Sequence, residues 1–266
     1  ATPLLETARN IEVLNKKDLN ELPAQSLPEA LNYLPGIDVR QRGPMGEQAD
    51  LSIRGSTFEQ TLVLLNGVRL SDPQTGHHML NLHIGFDNIE EIVVLKGPAA
   101  RIYGQNAFAG AINIVTKVPD KRALYLSGFG GDFGTYNANL SLALPSDKYG
   151  QFISVSSNAS DGYRQNTDYF INNFFYQSEL LAFGGKFDIQ AGYTDREFGA
   201  NGFYASPAAT QQWEAIQTSL TSISYEKKIN NITVKPRIFW RRNKDQYQFV
   251  RGQPEIYENF HTTNVI

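Results

Sequence analysis

Polar and apolar residues alternate strictly along the second half of the chain. In residues 136–144 apolar side chains occupy one face, and Asn137 and Asn139 lie on the other. The same alternation recurs in residues 186–194 and 232–240. A period of two is that of a β-strand with one apolar and one polar face. These runs are longer than most soluble strands and match the ~10-residue alternating segments of a membrane barrel.

The alternation predicts about eight amphipathic strands. Their ranges are 122–131, 134–144, 149–160, 169–181, 185–198, 213–228, 231–246 and 256–266. Tight turns such as Phe183-Gly184 alternate with longer connections such as 199–212, an asymmetry typical of outer-membrane barrels. A soluble antiparallel sandwich, which also alternates, is the main alternative. Pro236 removes one ladder donor from the seventh strand, so we expect a bulge there.

Residues 1–118 predict mixed α and β structure. Ser26-Leu27-Pro28-Glu29 is a capping-box pattern, and the helix that it starts is expected to end at Pro35-Gly36. Asn66-Gly67, between two apolar runs, is a strong signal for a tight hairpin. Short strands are predicted at 37–40, 51–54, 61–65, 68–70, 89–96 and 111–117.

Composition excludes several classes of protein. The chain has no cysteine, which rules out disulfides, thiolate metal sites and a cysteine nucleophile. The net charge of -3, without a cluster of basic residues, does not indicate nucleic-acid binding. No apolar run approaches the ~18 to 20 residues of a transmembrane helix. Aromatic residues reach 12%, with 13 Tyr and 16 Phe, and suggest β-structure with a polar side.

The sequence contains no catalytic motif that we can identify. A Gly-x-Ser-x-Gly elbow, a Walker loop and a His-Glu-x-x-His pair are all lacking. The glycine-rich run 128–134 fails the dinucleotide fingerprint because its third glycine is misplaced. We therefore expect a protein that is not an enzyme and that needs no cofactor.

Six segments of the first half carry a resemblance to a known family. They are, in order, Leu27–Leu31 with Leu34–Ile37, Leu51–Gly55, Val63–Val68, Ile89–Pro98, Tyr103-Gly104 and Gly110–Lys117. In this order and spacing they resemble the plug domain of TonB-dependent outer-membrane transporters. The resemblance implies an α+β plug domain at 1–118, followed at 119–266 by the N-terminal strands of an antiparallel transmembrane β-barrel. A plugged barrel needs about 22 strands, so about eight make an incomplete barrel, and we expect the chain to be part of a longer protein.

The resemblance implies TonB-dependent active import of a scarce, large nutrient across the bacterial outer membrane. The expected partners are TonB with the ExbB-ExbD energizing complex, outer-membrane lipid and a surface lipoprotein lid. Segments 72–82 and 195–204 look most like cobalamin receptors of the Bacteroidetes type, so cobalamin or a related corrinoid is the expected ligand. A ferric siderophore or haem is the alternative within the class. A non-transporting binding or structural barrel is the alternative outside it.

The resemblance also indicates which residues face the ligand from the plug and the external loops. They are Met45, Gln48, Gln74, His77, His78, Tyr204 and Trp213. His77, His78 and His83 lie within seven residues, which leaves open a metal or corrin-ligand site beside the simpler interpretation of a polar apical loop.

Two further sets of charged residues are candidates for defined roles. In the family, charges at the positions of Arg54 and of Glu90 or Glu91 tie the plug to the barrel wall, whereas an ordinary salt bridge within the plug is the alternative. Asp161 and Asp168 are candidate Ca²⁺ ligands of an external loop, although isolated aspartates more often serve as turn residues.

Overall fold

The computed structural model describes residues 10–43, 47–98, 103–204 and 206–266. The chain divides into two compact units. The first extends to Asn81 and resumes at Phe86–Lys117, and the second comprises Leu82–Gly85 and Val118–Ile266. No helix among the described residues is both long enough and apolar enough to cross a bilayer.

The first unit contains a mixed sheet and a separate hairpin. Its strands are β1 (Asn10–Asn15), β2 (Ile37–Arg42), β3 (Gln48–Ile53), β4 (Thr61–Leu65), β5 (Val68–Arg69), β6 (Glu91–Lys96) and β7 (Gly110–Val115), and its helices are α1 (Lys16–Glu21) and α2 (Leu27–Asn32). The sheet order is β1-β6-β7-β4-β5, with β4 and β7 parallel, while β2 pairs with β3. The six predicted strands are confirmed with shifted ends. The sequence did not predict β1 or α1.

The start of α2 confirms the predicted cap but not the complete box. Ser26 Oγ accepts from the N–H of Glu29 at 3.4 Å. The Glu29 carboxylate accepts from the N–H of Gln25 at 2.7 Å, one residue before the expected donor. The helix ends at Asn32, earlier than the predicted stop at Pro35-Gly36.

The predicted hairpin at Asn66-Gly67 is confirmed. Both residues adopt positive φ, 50° and 79°, as a two-residue turn of this type requires. The Asn66 side chain donates to Thr116 Oγ1 at 2.7 Å and accepts from the Thr116 N–H at 2.8 Å. These bonds join the hairpin to the end of β7, so local turn chemistry and tertiary contacts agree.

The second unit is a single antiparallel meander. Its strands are β8 (Ala123–Gly130), β9 (Tyr136–Leu144), β10 (Tyr149–Ser160), β11 (Tyr169–Ala182), β12 (Gly185–Gly199), β13 (Trp213–Ile229), β14 (Ile232–Val234), β15 (Arg237–Gln248) and β16 (Glu258–Val265). The sheet order is β16-β15-β13-β12-β11-β10-β9-β8, and β14 pairs with β13. The eight predicted strands are therefore confirmed, with the seventh divided into β14 and β15.

The predicted bulge at Pro236 is wrong. The proline does interrupt the strand, since β14 ends at Val234 and β15 begins at Arg237. However, Lys227 pairs with Val234 and Ser224 pairs with Arg237, so the register is the same on both sides of the break. No residue has been inserted.

The neighbours of Pro236 hold the strands together across the interruption. The Tyr225 N–H donates to the Pro236 carbonyl at 3.0 Å. One position away, Lys235 Nζ lies 2.8 Å from Glu226 Oε2 on the facing strand. The sheet thus loses one ladder donor and keeps its pairing.

The faces of this sheet are inverted relative to a soluble sheet. A cross-strand row of apolar and aromatic residues, Leu140, Val155, Phe174 and Tyr193, is 44%, 42%, 41% and 39% exposed. The opposite face is buried and mainly polar, and its polar members include Ser154, Gln177, Gln190, Thr194, Thr218 and Asn243. A wall that is apolar outside and polar inside is the pattern of a transmembrane β-barrel. Together with the α+β first unit, it confirms the predicted fold class.

Candidate functional site

A charged and aromatic cluster lies in the first unit beside the turn at Gly76–His78. Asp50 Oδ1 on β3 is 2.6 Å from His77 Nδ1, and Asp50 Oδ2 is 3.5 Å from Arg42 Nη2 on β2. The rings of Phe58 and His77 lie 4.5 Å apart between centroids, tilted by 33°. We call Arg42, Asp50, Phe58 and His77 the Asp50 cluster.

The electrostatics of the cluster favour an ionised carboxylate. Burial acts to raise the pKa of Asp50, but the hydrogen bond and charge of His77, followed by those of Arg42, hold this pKa below its usual value. The Asp50 side chain is 11% exposed and that of His77 is 29% exposed. The carboxylate therefore orients the imidazole, and the imidazole is the more accessible member of the pair.

The adjoining turn is shaped by a close approach at Gly76. A Cβ at this position would lie 2.5 Å from Phe58 Cδ2, so only glycine fits without a shift. Gln74, two residues earlier, is exposed, and its N–H donates to Asp72 Oδ1 at 3.0 Å. His78 is buried. Of the three predicted ligand-facing residues in this loop, Gln74 and His77 are thus accessible.

Five rings form a continuous series in the second unit, which we call the aromatic ladder: Phe198, Phe203, Tyr204, Tyr247 and Tyr257. Successive centroids are 6.0, 6.1, 5.7 and 6.2 Å apart, and the last three contacts are edge-to-face. These separations lie within the range of favourable aromatic pairs. Phe198 is fully buried and Tyr257 is 52% exposed, so the ladder leads from the interior to the surface.

Buried polar groups fix the middle of the ladder. The Tyr204 hydroxyl donates to the buried carboxylate of Glu214. The side-chain amide of Gln212, which is fully buried, donates to the Tyr247 hydroxyl at 2.5 Å, and its oxygen accepts from the Tyr204 N–H at 3.4 Å. Each phenol therefore has its apolar ring in the ladder and its hydroxyl satisfied, as buried tyrosines require.

Arg251 joins the long connections at the same end of the sheet. Its Nη1 donates to both Asp168 oxygens at 2.7 and 2.9 Å, and its Nη2 lies 3.5 Å from Glu197 Oε1. Its N–H donates to the Gln211 carbonyl at 2.8 Å. Glu197 also accepts from the Trp213 indole N–H at 3.0 Å. This set of bonds, the Arg251 network, makes the connections at 161–168, 200–212 and 249–257 one bonded layer.

His83 occupies a recess in the wall of the second unit. Its ring centroid lies 5.8 Å from that of Phe175, and a Cβ added to Gly192 would lie 1.8 Å from its Cδ2. Neither ring nitrogen has a hydrogen-bond partner among the described residues. Burial, followed by the charges of Arg241 and Arg196, lowers the pKa of His83 to about 3, so the imidazole is neutral at physiological pH.

Comparison with known proteins finds relatives of both units. The sequence profile of the TonB-dependent Receptor Plug Domain matches residues 3–111. The vitamin B12 transporter BtuB of Photobacterium profundum is 27% identical over 256 residues, which cover 92% of this chain and 41% of the relative. Residues 3–111 thus match the plug-domain family, and over both units the chain is similar to a vitamin B12 transporter. BtuB of Vibrio vulnificus (strain CMCP6) is 38% identical over 114 residues, or 43% of this chain and 18% of that relative.

Solved structures place the receptor fold over nearly the whole chain. The ferric citrate transporter FecA in its unliganded form matches with a TM-score of 0.78 at 18% identity, covering 93% of this chain and 42% of FecA. The copper transporter OprC matches at 0.74 with 17% identity, over 95% of this chain and 41% of its own. At these identities the likeness establishes the fold alone. The chain spans less than half of the length of the relatives cited here.

The structure does not bring Arg54 together with the glutamates of the proposed tie. Arg54 lies in the turn after β3 with φ 52°, not on a strand, and is exposed. Among the described residues, no ion pair joins it to Glu90 or Glu91, which argues against the alternative of a salt bridge within the plug. The tie to the barrel wall stays a prediction.

The other predicted site residues have varied surroundings. Met45 lies outside the described residues. Gln48 is buried, and neither polar atom of its side chain has a hydrogen-bond partner among them. Tyr204 and Trp213 are half-buried, in the aromatic ladder and the Arg251 network respectively. His77 and His83 have different partners, and the metal or corrin-ligand interpretation stays a prediction.

The calcium prediction also receives no support from the geometry. Both oxygens of Asp168 accept from Arg251, which occupies the lone pairs that a cation would use. Asp161 is exposed, and its N–H donates to the Phe133 carbonyl at 2.8 Å. The site stays a prediction.

Sequence reasoning missed the residues that hold these clusters together. Asp50 and His77 are separated by 27 positions, and Arg251 and Asp168 by 83. The alternating pattern placed Glu214 on a strand and Tyr247 just beyond the end of one, and it carried no signal of their contact with Tyr204. Only the aromatic content of the loop at 199–212 pointed toward the ladder.

Proposed function

We propose that the protein containing this chain imports cobalamin or a related corrinoid across the bacterial outer membrane, with energy delivered through TonB. The observation that carries the proposal is the similarity to a vitamin B12 transporter over 92% of the chain, which includes both units. A plug-only match would support the transporter class without supporting the ligand.

The layer at the long-connection end of the sheet supports a role in capturing a large ligand. The aromatic ladder offers apolar rings with satisfied hydroxyls, and the Arg251 network holds the surrounding connections together. Ordered aromatic surface lowers the entropic cost of binding, because few rotamers are lost when a ligand docks. A corrinoid has a broad, mixed polar and apolar surface that suits such a layer.

The inverted polarity of the sheet supports a location in the outer membrane. Its exposed apolar face would meet lipid, and its polar face would line the interior of the barrel. In this scheme the plug domain receives the pull of TonB, which the ExbB-ExbD complex energizes, and Arg54 with Glu90 or Glu91 ties the plug to the wall. A surface lipoprotein would cover the external loops. The protein performs no bond chemistry and needs no cofactor.

Cobalamin titration against the purified full-length protein tests the proposal. We expect saturable binding of cyanocobalamin by isothermal calorimetry, with a ferric siderophore and haem as control ligands. Tyr204→Ala removes one rung of the ladder and should weaken binding by about tenfold, the scale of a buried aromatic contact. Tyr149→Ala, an exposed tyrosine at the opposite end of the sheet, is the matched control and should bind normally.

Each outcome of the titration has a defined meaning. Saturable binding of the siderophore or haem without cobalamin would replace the ligand and keep the transporter class. Absence of binding for all three ligands would contradict the proposal. Equal weakening by both tyrosine variants would place binding elsewhere than at the ladder.

A further inference from the structure

The two-residue turn between β11 and β12 has an unusual residue in a demanding conformation. Phe183 and Gly184 both adopt positive φ, 55° and 73°. Asn-Gly is the usual pair at such a turn, because asparagine tolerates the left-handed region and a bulky residue is strained there. This chain follows that rule at Asn66-Gly67 and at Asn230, which have φ 50°, 79° and 53°.

Burial within the protein does not offset the backbone strain of Phe183. Its side chain is 84% exposed, so almost none of its apolar surface is removed from water by the chain itself. Its ring lies 6.3 Å from that of Phe187, which in turn lies 4.6 Å from Tyr225. The turn therefore presents an aromatic tip that an apolar environment outside the protein would stabilise.

Two donors pin the turn in place. The Tyr225 hydroxyl donates to the Phe183 carbonyl at 3.0 Å, and Lys227 Nζ donates to the same oxygen at 3.1 Å. Lys227 Nζ would also lie 3.5 Å from a Cβ at Gly184, so the ammonium group sits over the turn. The tip is thus a fixed arrangement of one exposed ring with a cation beside it.

The charges around the tip favour an anionic partner. The nearby carboxylates of Glu179 and Glu226 are already paired, with Lys186 at 2.7 Å and Lys235 at 2.8 Å. Among the described residues, no carboxylate pairs with Lys227. A lysine ammonium group beside an exposed ring matches the headgroup region of an anionic bilayer, where aromatic rings and lysine ammonium groups both settle.

The height of the wall places the turn at headgroup level. β10 has 12 residues. At ~3.3 Å per residue and a tilt of about 40° such a strand spans roughly 30 Å, the thickness of a bilayer core. The Phe183 turn lies at the end of this wall that carries the tight turns.

We propose that the Phe183-Gly184 turn, with Lys227, binds the headgroups of anionic phospholipids. The proposal rests on the membrane location given under Proposed function. Phe183 enters the apolar edge of the headgroup layer, and the Lys227 ammonium group contacts a lipid phosphate. The turn keeps phenylalanine in a strained conformation because the bilayer supplies the burial that the chain does not.

The opposite end of the sheet provides a matched control. Phe133-Gly134 also adopts positive φ, 57° and 62°, and Phe133 is 57% exposed. Its surroundings are acidic, because Asp132 precedes it and a Cβ at Gly134 would lie 2.4 Å from Asp161 Oδ2. Backbone geometry and ring are shared by the two turns, whereas the neighbouring charge has the opposite sign.

The experiment uses the absence of cysteine from these 266 residues. Phe183→Cys, Phe133→Cys and Leu140→Cys are each labelled with bimane in the full-length protein and reconstituted in vesicles. The vesicles contain equal fractions of phosphatidylcholine and phosphatidylglycerol, with a spin label on one lipid or the other. Quenching by each labelled lipid reports which headgroup is enriched beside the probe. Leu140, on the exposed apolar row, reports insertion of the wall itself.

We expect labelled phosphatidylglycerol to quench the probe at position 183 at least about twofold more than labelled phosphatidylcholine, given the attraction of a lysine near a membrane surface to anionic lipid. Lys227→Gln should equalise the two lipids. The probe at position 133 should show no preference for phosphatidylglycerol.

Two results would overturn the proposal while leaving the membrane location intact. One is quenching at position 140 but not at 183, and the other is equal quenching at 183 by both lipids. If neither labelled lipid quenches the probe at position 140, the membrane location on which the proposal rests is contradicted instead. The lysine variant keeps the test valid even if labelling displaces the ring of Phe183.

Discussion

Gly192 leaves a gap in the strand wall that the ring of His83 fills. In Gly192→Ala the new Cβ would lie 1.8 Å from Cδ2 of His83 and 2.4 Å from both Cγ and Nε2. The ring cannot swing outward freely, because His83 is 1% exposed and packs against Phe175. Overpacking of this kind costs about 1–3 kcal/mol, and since relief requires a ring shift of more than about 1 Å, we expect the upper part of that range.

Equilibrium unfolding by guanidinium chloride in phospholipid vesicles measures the loss. Gly130→Ala is the matched control, because this strand glycine has its nearest neighbour, the Thr135 carbonyl oxygen, at 3.8 Å. It should change the free energy of unfolding by less than about 0.5 kcal/mol.

A double-mutant cycle separates the clash from other effects of the alanine. His83→Ala removes the ring, so in that background Gly192→Ala should cost at least about 1 kcal/mol less than in the wild type. Strictly additive losses, or an unperturbed Gly192→Ala variant, would refute the packing that the structure shows at this position.

Three further predictions concern the ionisable groups. Because the pKa of His83 is lowered to about 3, the unfolded chain binds a proton that the folded protein does not between about pH 6.5 and pH 3. The free energy of unfolding should therefore decrease as the pH is lowered through this window, by about 2 kcal/mol at pH 5. His83→Phe should remove this part of the pH dependence, which is measured by unfolding the protein at each pH. The pKa of Asp50 is also lowered, so its stabilising contribution is present above the ordinary carboxyl pKa and disappears as the pH falls through the folded value. Asp50→Asn should thus destabilise the plug domain at pH 7 and have little effect near pH 2, as judged by circular dichroism, and an equal effect at both would contradict this electrostatic assignment. Arg251→Ala should speed hydrogen–deuterium exchange in residues 199–212. Arg251→Lys should restore only part of the protection, because an ammonium group reaches fewer of the same acceptors than a guanidinium group does. Unchanged exchange in the alanine variant would show that the Arg251 network does not order the loop.

Local sequence patterns were sufficient to predict most strands, but they did not predict the Asp50 cluster or the Arg251 network. β10 occupies the predicted residues, because period-two alternation and flanking turns are both properties of a short window. β1 was missed, since its six residues form an edge strand whose partner β6 lies about 80 residues away. The Asp50 cluster and the Arg251 network join residues on different elements. Side-chain contacts of that kind follow from tertiary placement, which one sequence does not reveal.

The polar interior of the strand wall is held by bonds that depend on register. Ser154 Oγ donates to Asn139 Oδ1 at 3.3 Å and accepts from Ser141 Oγ at 3.1 Å, while Thr218 Oγ1 donates to Asn243 Oδ1 at 2.6 Å. Each pair crosses between neighbouring strands. A buried polar group without a partner costs about 1–3 kcal/mol, so these bonds are needed wherever the face is closed to water. A slip of one residue would break them and turn the polar residues toward the apolar side.

This dependence explains why Pro236 separates β14 from β15 without adding a residue. An inserted residue would have spared the ladder, but it would also have moved Arg241 and Asn243, each 1% exposed, to the apolar face. An arginine on a lipid-facing position costs about 2–4 kcal/mol near the bilayer centre. The missing donor of Pro236 costs about 0.5–1.5 kcal/mol, the net value of one hydrogen bond. Keeping the register and losing the donor is therefore the less costly arrangement. The expectation of a bulge was wrong because it considered only the lost backbone hydrogen bond and not which face of the strand each side chain occupies.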